Sequence, residues 1–242
     1  GHAISLVGFD DARDVAFIYE RDIQDVQEVL VSMLKIARGS KAGGKYMHPN
    51  HRQFTITKRP DGKKPPFARA VKLAIQKVAT GMIACSMNFQ GISGLKLLAR
   101  GLPKWKEVLQ GELLLEGTSK RVPAGPVTLK MLHGFIEEYG TGGGLFRSMY
   151  ADFLDELLVH EEIVRGPMAW NAAEKEVLAG VRDRIRAAGV KWSELASVIK
   201  TALQAGEASC VDVLDIMQVE AVVKDIIALE ESSFKDLSRI KL

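Results

Sequence analysis

Cysteine is nearly absent from this chain. Cys85 and Cys210 are the two in 242 residues, they stand far apart, and neither has neighbours at metal-ligand spacing, which excludes a disulfide framework and a zinc site. Long apolar runs are missing too. None approaches the roughly 20 residues needed to cross a bilayer, and the N-terminus lacks the basic start and short apolar run of a signal peptide, so the expectation is a soluble, cytoplasmic protein with no membrane contact. Charge of one sign is also lacking. Lys and Arg number 33 against 30 Asp and Glu, for a net +3, which leaves nucleic acid a weak option as partner. Aromatic residues make up 7%, and Trp105, Trp170 and Trp192 sit among Leu, Ala and Val, as core residues do. No fixed-period repeat is visible, which argues against a solenoid.

What is present suffices for a core. The chain is 47% hydrophobic and long enough for one large or two small domains. Up to about Arg59 the pattern is strand-like: Ile4 to Phe9 and Val15 to Tyr19 suggest a hairpin, and Gln53 to Lys58 a third strand. Between them Val26, Val29, Leu30, Met33, Leu34 and Ala37, spaced by three and four, predict one helix over Asp25 to Ala37. From Pro65 onward the pattern is helical. Phe67, Val71, Ala74, Ile75, Val78 and Met82 share one face, and Met87 to Gly94 is a break. Short helices are expected at Leu95 to Arg100 and Lys104 to Leu115, then a loop over Gly117 to Pro126. Longer helices follow near Val127 to Tyr139, Leu145 to Val164, Met168 to Ala188 and Trp192 to Ala205. A last helix starts near Val211, with Ser209 and Asp212 as a capping box. The predicted fold is α+β, mainly α: residues 1–60 hold a small antiparallel sheet and residues 61–242 a helical, bundle-like domain.

Two segments carry unusual chemistry. Arg38, Lys41, Lys45, Arg52, Lys58, Arg59, Lys63 and Lys64 face a single acid, Asp61, with Tyr46, His48, His51 and Phe54 interleaved. Such a stretch attracts anions, or is simply a solvated basic loop. Then Gly140-Thr141-Gly142-Gly143-Gly144 runs into an expected helix. Its glycines permit positive φ, and the free N–H groups at the helix start suit an anion. Arg147, in the first turn, opposes the helix dipole unless it binds a carboxylate or phosphate. The alternative is a tight helix–helix connection, with Gly140 as C-cap and Arg147 paired to a protein carboxylate. The spacing is neither a P-loop nor a dinucleotide fingerprint.

Other constellations are weaker. Asp152, Glu156 and His160 form an i, i+4, i+8 row that reads as a solvated face more readily than as a metal site; the same holds for His48 and His51. No metal is expected. Cys85 has no adjacent base and reads as a small apolar filler. His2 stands at the head of the apolar strand Ala3 to Phe9, the position in which papain-type cysteine enzymes hold their general base. No cysteine precedes it in the chain.

The residues Gly1-His2-Ala3-Ile4-Ser5-Leu6-Val7-Gly8-Phe9-Asp10, Phe17-Ile18-Tyr19-Glu20-Arg21-Asp22, Asn88-Phe89-Gln90-Gly91-Ile92, Leu102-Pro103-Lys104-Trp105 and above all Gly140 to Leu154 resemble the butirosin biosynthesis protein H family. The resemblance spans nearly the whole chain, and the glycine-rich segment is its specific part. It implies a cysteine-peptidase-like N-terminal half, here a remnant over 1–60, followed by a helical domain of unknown function. The implied activity is acyl transfer from an acyl-carrier-protein thioester to an amine, with His2 as base, Glu20 orienting it and Asp22 as the nearby alternative. Glu20 stands where the family usually has aspartate. The family's cysteine and its helix would precede Gly1, so this chain is expected to be inactive alone. Lys58, Arg59, Lys63 and Lys64 would dock an acidic carrier, and Thr141, Gly142, Gly143, Gly144 and Arg147 would hold a phosphate or other ligand. No cofactor is implied beyond the phosphopantetheine carried on the substrate. The expected partners are the carrier protein and a small-molecule amine, and a homo-oligomer is compatible with this reading. Alternatively, the chain is a non-catalytic helical module that binds a carrier protein or a small anion.

Overall fold

In a computed structural model, residues 4–19, 25–41, 48–55, 67–115, 119–166 and 168–240 are described. Contacts divide the chain into two units, Gly1–Lys63 and Lys64–Leu242.

In the first unit, β1 (Ser5–Asp10) and β2 (Val15–Tyr19) form the expected antiparallel hairpin, with a register shift between Leu6 and Gly8. Its turn is pinned by Arg13, whose Nε donates to Asp10 at 2.6 Å while its terminal nitrogens fork onto Glu28 at 3.0 and 3.1 Å. β2 is the central strand, and Val15, Ala16 and Ile18 are buried. The third strand is β3 (Gln27–Leu30), antiparallel to β2, and α1 (Val31–Gly39) follows it directly. The helix predicted from Asp25 therefore starts six residues late. Half-buried Gln27 and Val29 alternate with exposed Glu28 and Leu30, so the stretch also fits a period of two, and pairing with β2 decides between the two readings. Residues 53–55 are not in a strand.

The second unit is helical: α2 (Phe67–Ile83), α3 (Gly91–Gly101), α4 (Trp105–Leu109), α5 (Ala124–Glu137), α6 (Arg147–Val159), α7 (Glu161–Val164), α8 (Ala172–Gln204), α9 (Cys210–Val213) and α10 (Ile216–Ser238). A two-stranded hairpin, β4 (Glu112–Leu114) with β5 (Arg121–Pro123), replaces the end of one predicted helix and part of a predicted loop. α8 is the backbone of the unit. Its 33 residues rise about 50 Å, and its start is fixed by a full capping box, Asn171 Oδ1 accepting from Glu174 N and Glu174 Oε2 from Asn171 N, both at 2.9 Å.

Two apolar clusters line α8. Leu178, Val181 and Ile185 join Val71, Ile75, Leu154, Ile163 and Phe234, while Trp192, Leu195 and Ile199 join Leu129, Ile136, Val222 and Ile226. Each fully buried Leu or Ile is worth about 1.5–3 kcal/mol, so the helix is held along its length by both clusters. The break predicted between Ala188 and Trp192 does not occur. A mid-helix glycine costs about 1 kcal/mol, but Gly189 gives the chain a close approach described below. The predicted helix over Leu145 to Val164 instead breaks at His160, whose extended backbone (φ −65°, ψ 122°) separates α6 from α7. Ser209 makes no capping hydrogen bond. The long last helix is capped by Asp215, whose Oδ1 accepts from Gln218 N at 3.0 Å. No helix among the described residues is long and apolar enough to cross a membrane.

Candidate functional site

The glycine-rich turn is folded by its own polar groups. After α5 ends, Gly140, Gly142, Gly143 and Gly144 take φ of 78°, 66°, 80° and 57°, and Leu145 and Phe146 follow at 50° and 65°. For an L side chain the left-handed region costs about 1–2 kcal/mol, so two such residues in succession need compensation. Thr141, 2% exposed, donates its hydroxyl to Ile136 O at 2.7 Å and accepts from Gly143 N at 3.2 Å. Gly144 N donates to Glu137 Oε1 at 3.4 Å. The place where an anion would sit on these amides thus already holds a carboxylate of the same chain.

Gly144 lies against α8. A Cβ on it would stand 2.7 Å from Gly189 O, and one on Gly189 would stand 3.2 Å from Arg147 Cβ. Two glycines face each other because neither backbone leaves room for a methyl group.

Arg147 opens α6 and closes the arrangement. Its Nε and Nη2 fork onto Glu230 of α10 at 2.7 and 2.9 Å, and its Nη1 donates to Leu145 O at 2.8 Å, which fixes one of the strained residues. Glu230 is fully buried, and Trp192 Nε1 donates to its Oε1 at 2.8 Å. The guanidinium also lies 5.9 Å from the Trp192 ring centroid. Three charge-assisted hydrogen bonds therefore converge on one buried carboxylate, the condition under which a buried charge is tolerated.

Of the sequence-predicted residues, the structure brings Thr141, Gly142, Gly143, Gly144 and Arg147 together in this one turn. Arg147 has the protein carboxylate that its position at a helix start calls for. His2, Glu20, Asp22, Lys58, Arg59, Lys63 and Lys64 lie outside the described residues. The sequence pattern marks Trp192 only as a core residue, and it does not single out Glu137 or Glu230. Glu230 had a signal: it interrupts the apolar stripe Val219, Val222, Val223, Ile226, Phe234, Leu237 of α10, where a charge is found only with a partner.

The remaining candidates separate in space. Asp152 pairs with Arg186 at 2.7 Å, while His160 lies against Phe67 with ring centroids 4.8 Å apart and planes tilted by 40°. No group of three or more metal-ligating side chains occurs among the described residues. Cys210 is buried, and the half-buried Cys85 hydrogen-bonds Gln90 Oε1 at 3.4 Å rather than acting as a purely apolar filler. Burial alone pushes the Tyr150 hydroxyl up to about 12.

Fold and turn define a mainly helical α+β protein whose most unusual segment is a self-satisfied packing node. The chain belongs to the family described as Domain of unknown function (DUF4872), whose model matches residues 32–237. No curated protein and no solved structure matches it.

Proposed function

We propose that this chain is the C-terminal part of a butirosin biosynthesis protein H-like acyltransferase, which moves an acyl group from an acyl-carrier-protein thioester to an amine, and that it is inactive alone because the nucleophilic cysteine is missing from it. The observation that carries the reading is the segment Gly140 to Leu154, whose resemblance to that family is the most specific in the chain. The supporting argument is chemical. Cys210 is buried and Cys85 is bonded to an amide oxygen, so neither is placed as a nucleophile, and the thiolate comes from outside these 242 residues. It attacks the thioester carbonyl, forming one C–S bond as the carrier's C–S bond breaks. The amine nitrogen then attacks the acyl-enzyme and gives its proton to His2, and the enzyme thiolate leaves. Glu20, or Asp22, orients the imidazole. Thr141, Gly142, Gly143, Gly144 and Arg147 set the shape of the helical part; a phosphate at the turn has to displace Glu137 from Gly144 N.

The test is intact-protein mass spectrometry of the protein as its own cells produce it, incubated with an acyl thioester and then an amine. An acyl adduct that is discharged by amine, with discharge lost in His2→Ala, supports the reading; no adduct on any thiol sinks it.

A second reading makes the chain a binding module for an acidic carrier, docked through Lys58, Arg59, Lys63 and Lys64. It is favoured by Lys41 and Arg52, which are exposed in the same basic run and have no acidic partner among the described residues. Charge reversal at Lys63 and Lys64 should then weaken carrier binding, and unchanged affinity at low salt removes the idea.

A further inference from the structure

A groove of about 520 Å3 runs between α3 and α10, lined by Asn88, Ser93, Lys96, Ala99, Arg100 and Ile227. Ser93, Lys96 and Arg100 are spaced i, i+3, i+7 and so share a helix face, while Ala99 and Ile227 supply an apolar wall. No carboxylate lines it. Arg147, Arg182, Arg184 and Arg186 each fork onto or touch a carboxylate, but Arg100 has no acidic partner among the described residues. Asn88 and Ser93 likewise make no side-chain hydrogen bond there. Lys96 does pair with Glu231 at 2.7 Å, yet the same carboxylate takes Lys235 at 2.7 Å. Two ammonium groups share one acid, so the neighbourhood of Arg100 keeps a surplus of positive charge.

We infer that this groove binds a small organic anion, a phosphate or carboxylate head on a short apolar tail. Arg100 takes the head through its planar fork, Ser93 and Asn88 donate to its remaining oxygens, and the tail covers Ala99 and Ile227. The site is separate from the glycine-rich turn, and it does not depend on acyl transfer.

The test is titration calorimetry at low ionic strength with hexyl phosphate, hexanoate and inorganic phosphate. Arg69 on α2 is the control, because it too is exposed and without an acidic partner among the described residues, so Arg69→Ala and Arg100→Ala remove the same charge. Binding of a tailed anion, weakened about tenfold by Arg100→Ala and unchanged by Arg69→Ala at equal melting temperature, supports the site. Whether hexyl phosphate or hexanoate binds tighter identifies the head, and inorganic phosphate reports what the tail adds. Absence of binding by every probe, or equal weakening by both substitutions, overturns the proposal.

Discussion

Arginine meets carboxylate at two places along α6, in opposite surroundings. At the turn, Arg147 holds Glu230 where no water reaches the carboxylate. Further along α6, where it packs on α8, Arg186 holds Asp152 and Asp155 at 2.7 and 2.9 Å, and Arg182 holds Asp155 at 2.7 Å, all of them solvated. The distances match, yet the consequences differ. Removing one partner of a buried pair strands a charge that water cannot reach, whereas removing one from a solvated network leaves a hydrated ion. Hydrogen-bond length alone therefore says little about what a pair contributes.

The largest effect expected is from Glu230→Ala, which leaves the Arg147 charge without its carboxylate and Trp192 Nε1 without an acceptor and should lower unfolding free energy in urea by about 3–5 kcal/mol. Next comes the glycine contrast. Gly144→Ala places a methyl group against Gly189 O at positive φ and should cost about 2 kcal/mol or more. Gly180→Ala, on the same α8 but with only the tip of Arg184 within 4 Å, should instead stabilise by about 0.5–1 kcal/mol. If both alanines destabilise equally, close approach is not what Gly144 provides.

The smallest effect is at the surface. Arg186 and then Arg182 hydrogen-bond Asp155 and hold its carboxyl below the ordinary carboxylate range. A lowered folded-state value means that this contribution is present above the unfolded pKa, near 3.9, and is lost as pH falls through the lower folded value. Asp155→Asn should therefore change acid unfolding below about pH 4 more than melting at pH 7. High salt should weaken the same network while leaving the Glu230 pair in place.

How much of this was legible in the sequence depended on the range of the interaction. The hairpin and α2 were readable because apolar spacing within each element specifies them. β3 was not, since a stretch that fits both periods is assigned by its neighbour β2. The break expected between Ala188 and Trp192 does not occur, and the reason for a glycine inside the helix, the approach of Gly144 to Gly189, comes from 45 positions earlier and is invisible to local pattern. The turn itself was legible as an alternative: Arg147 at a helix start asks for an anion, but the sequence alone did not say whether Glu230 or a ligand would answer. Glu230 is legible only as an exception, a charge in an apolar stripe.

The uninterrupted α8 has a consequence for how the helical unit comes apart. Both apolar clusters are anchored on it, so neither can dissolve while leaving its share of the helix packed, and a disturbance at one end is felt at the other. The unit should melt as a single cooperative block.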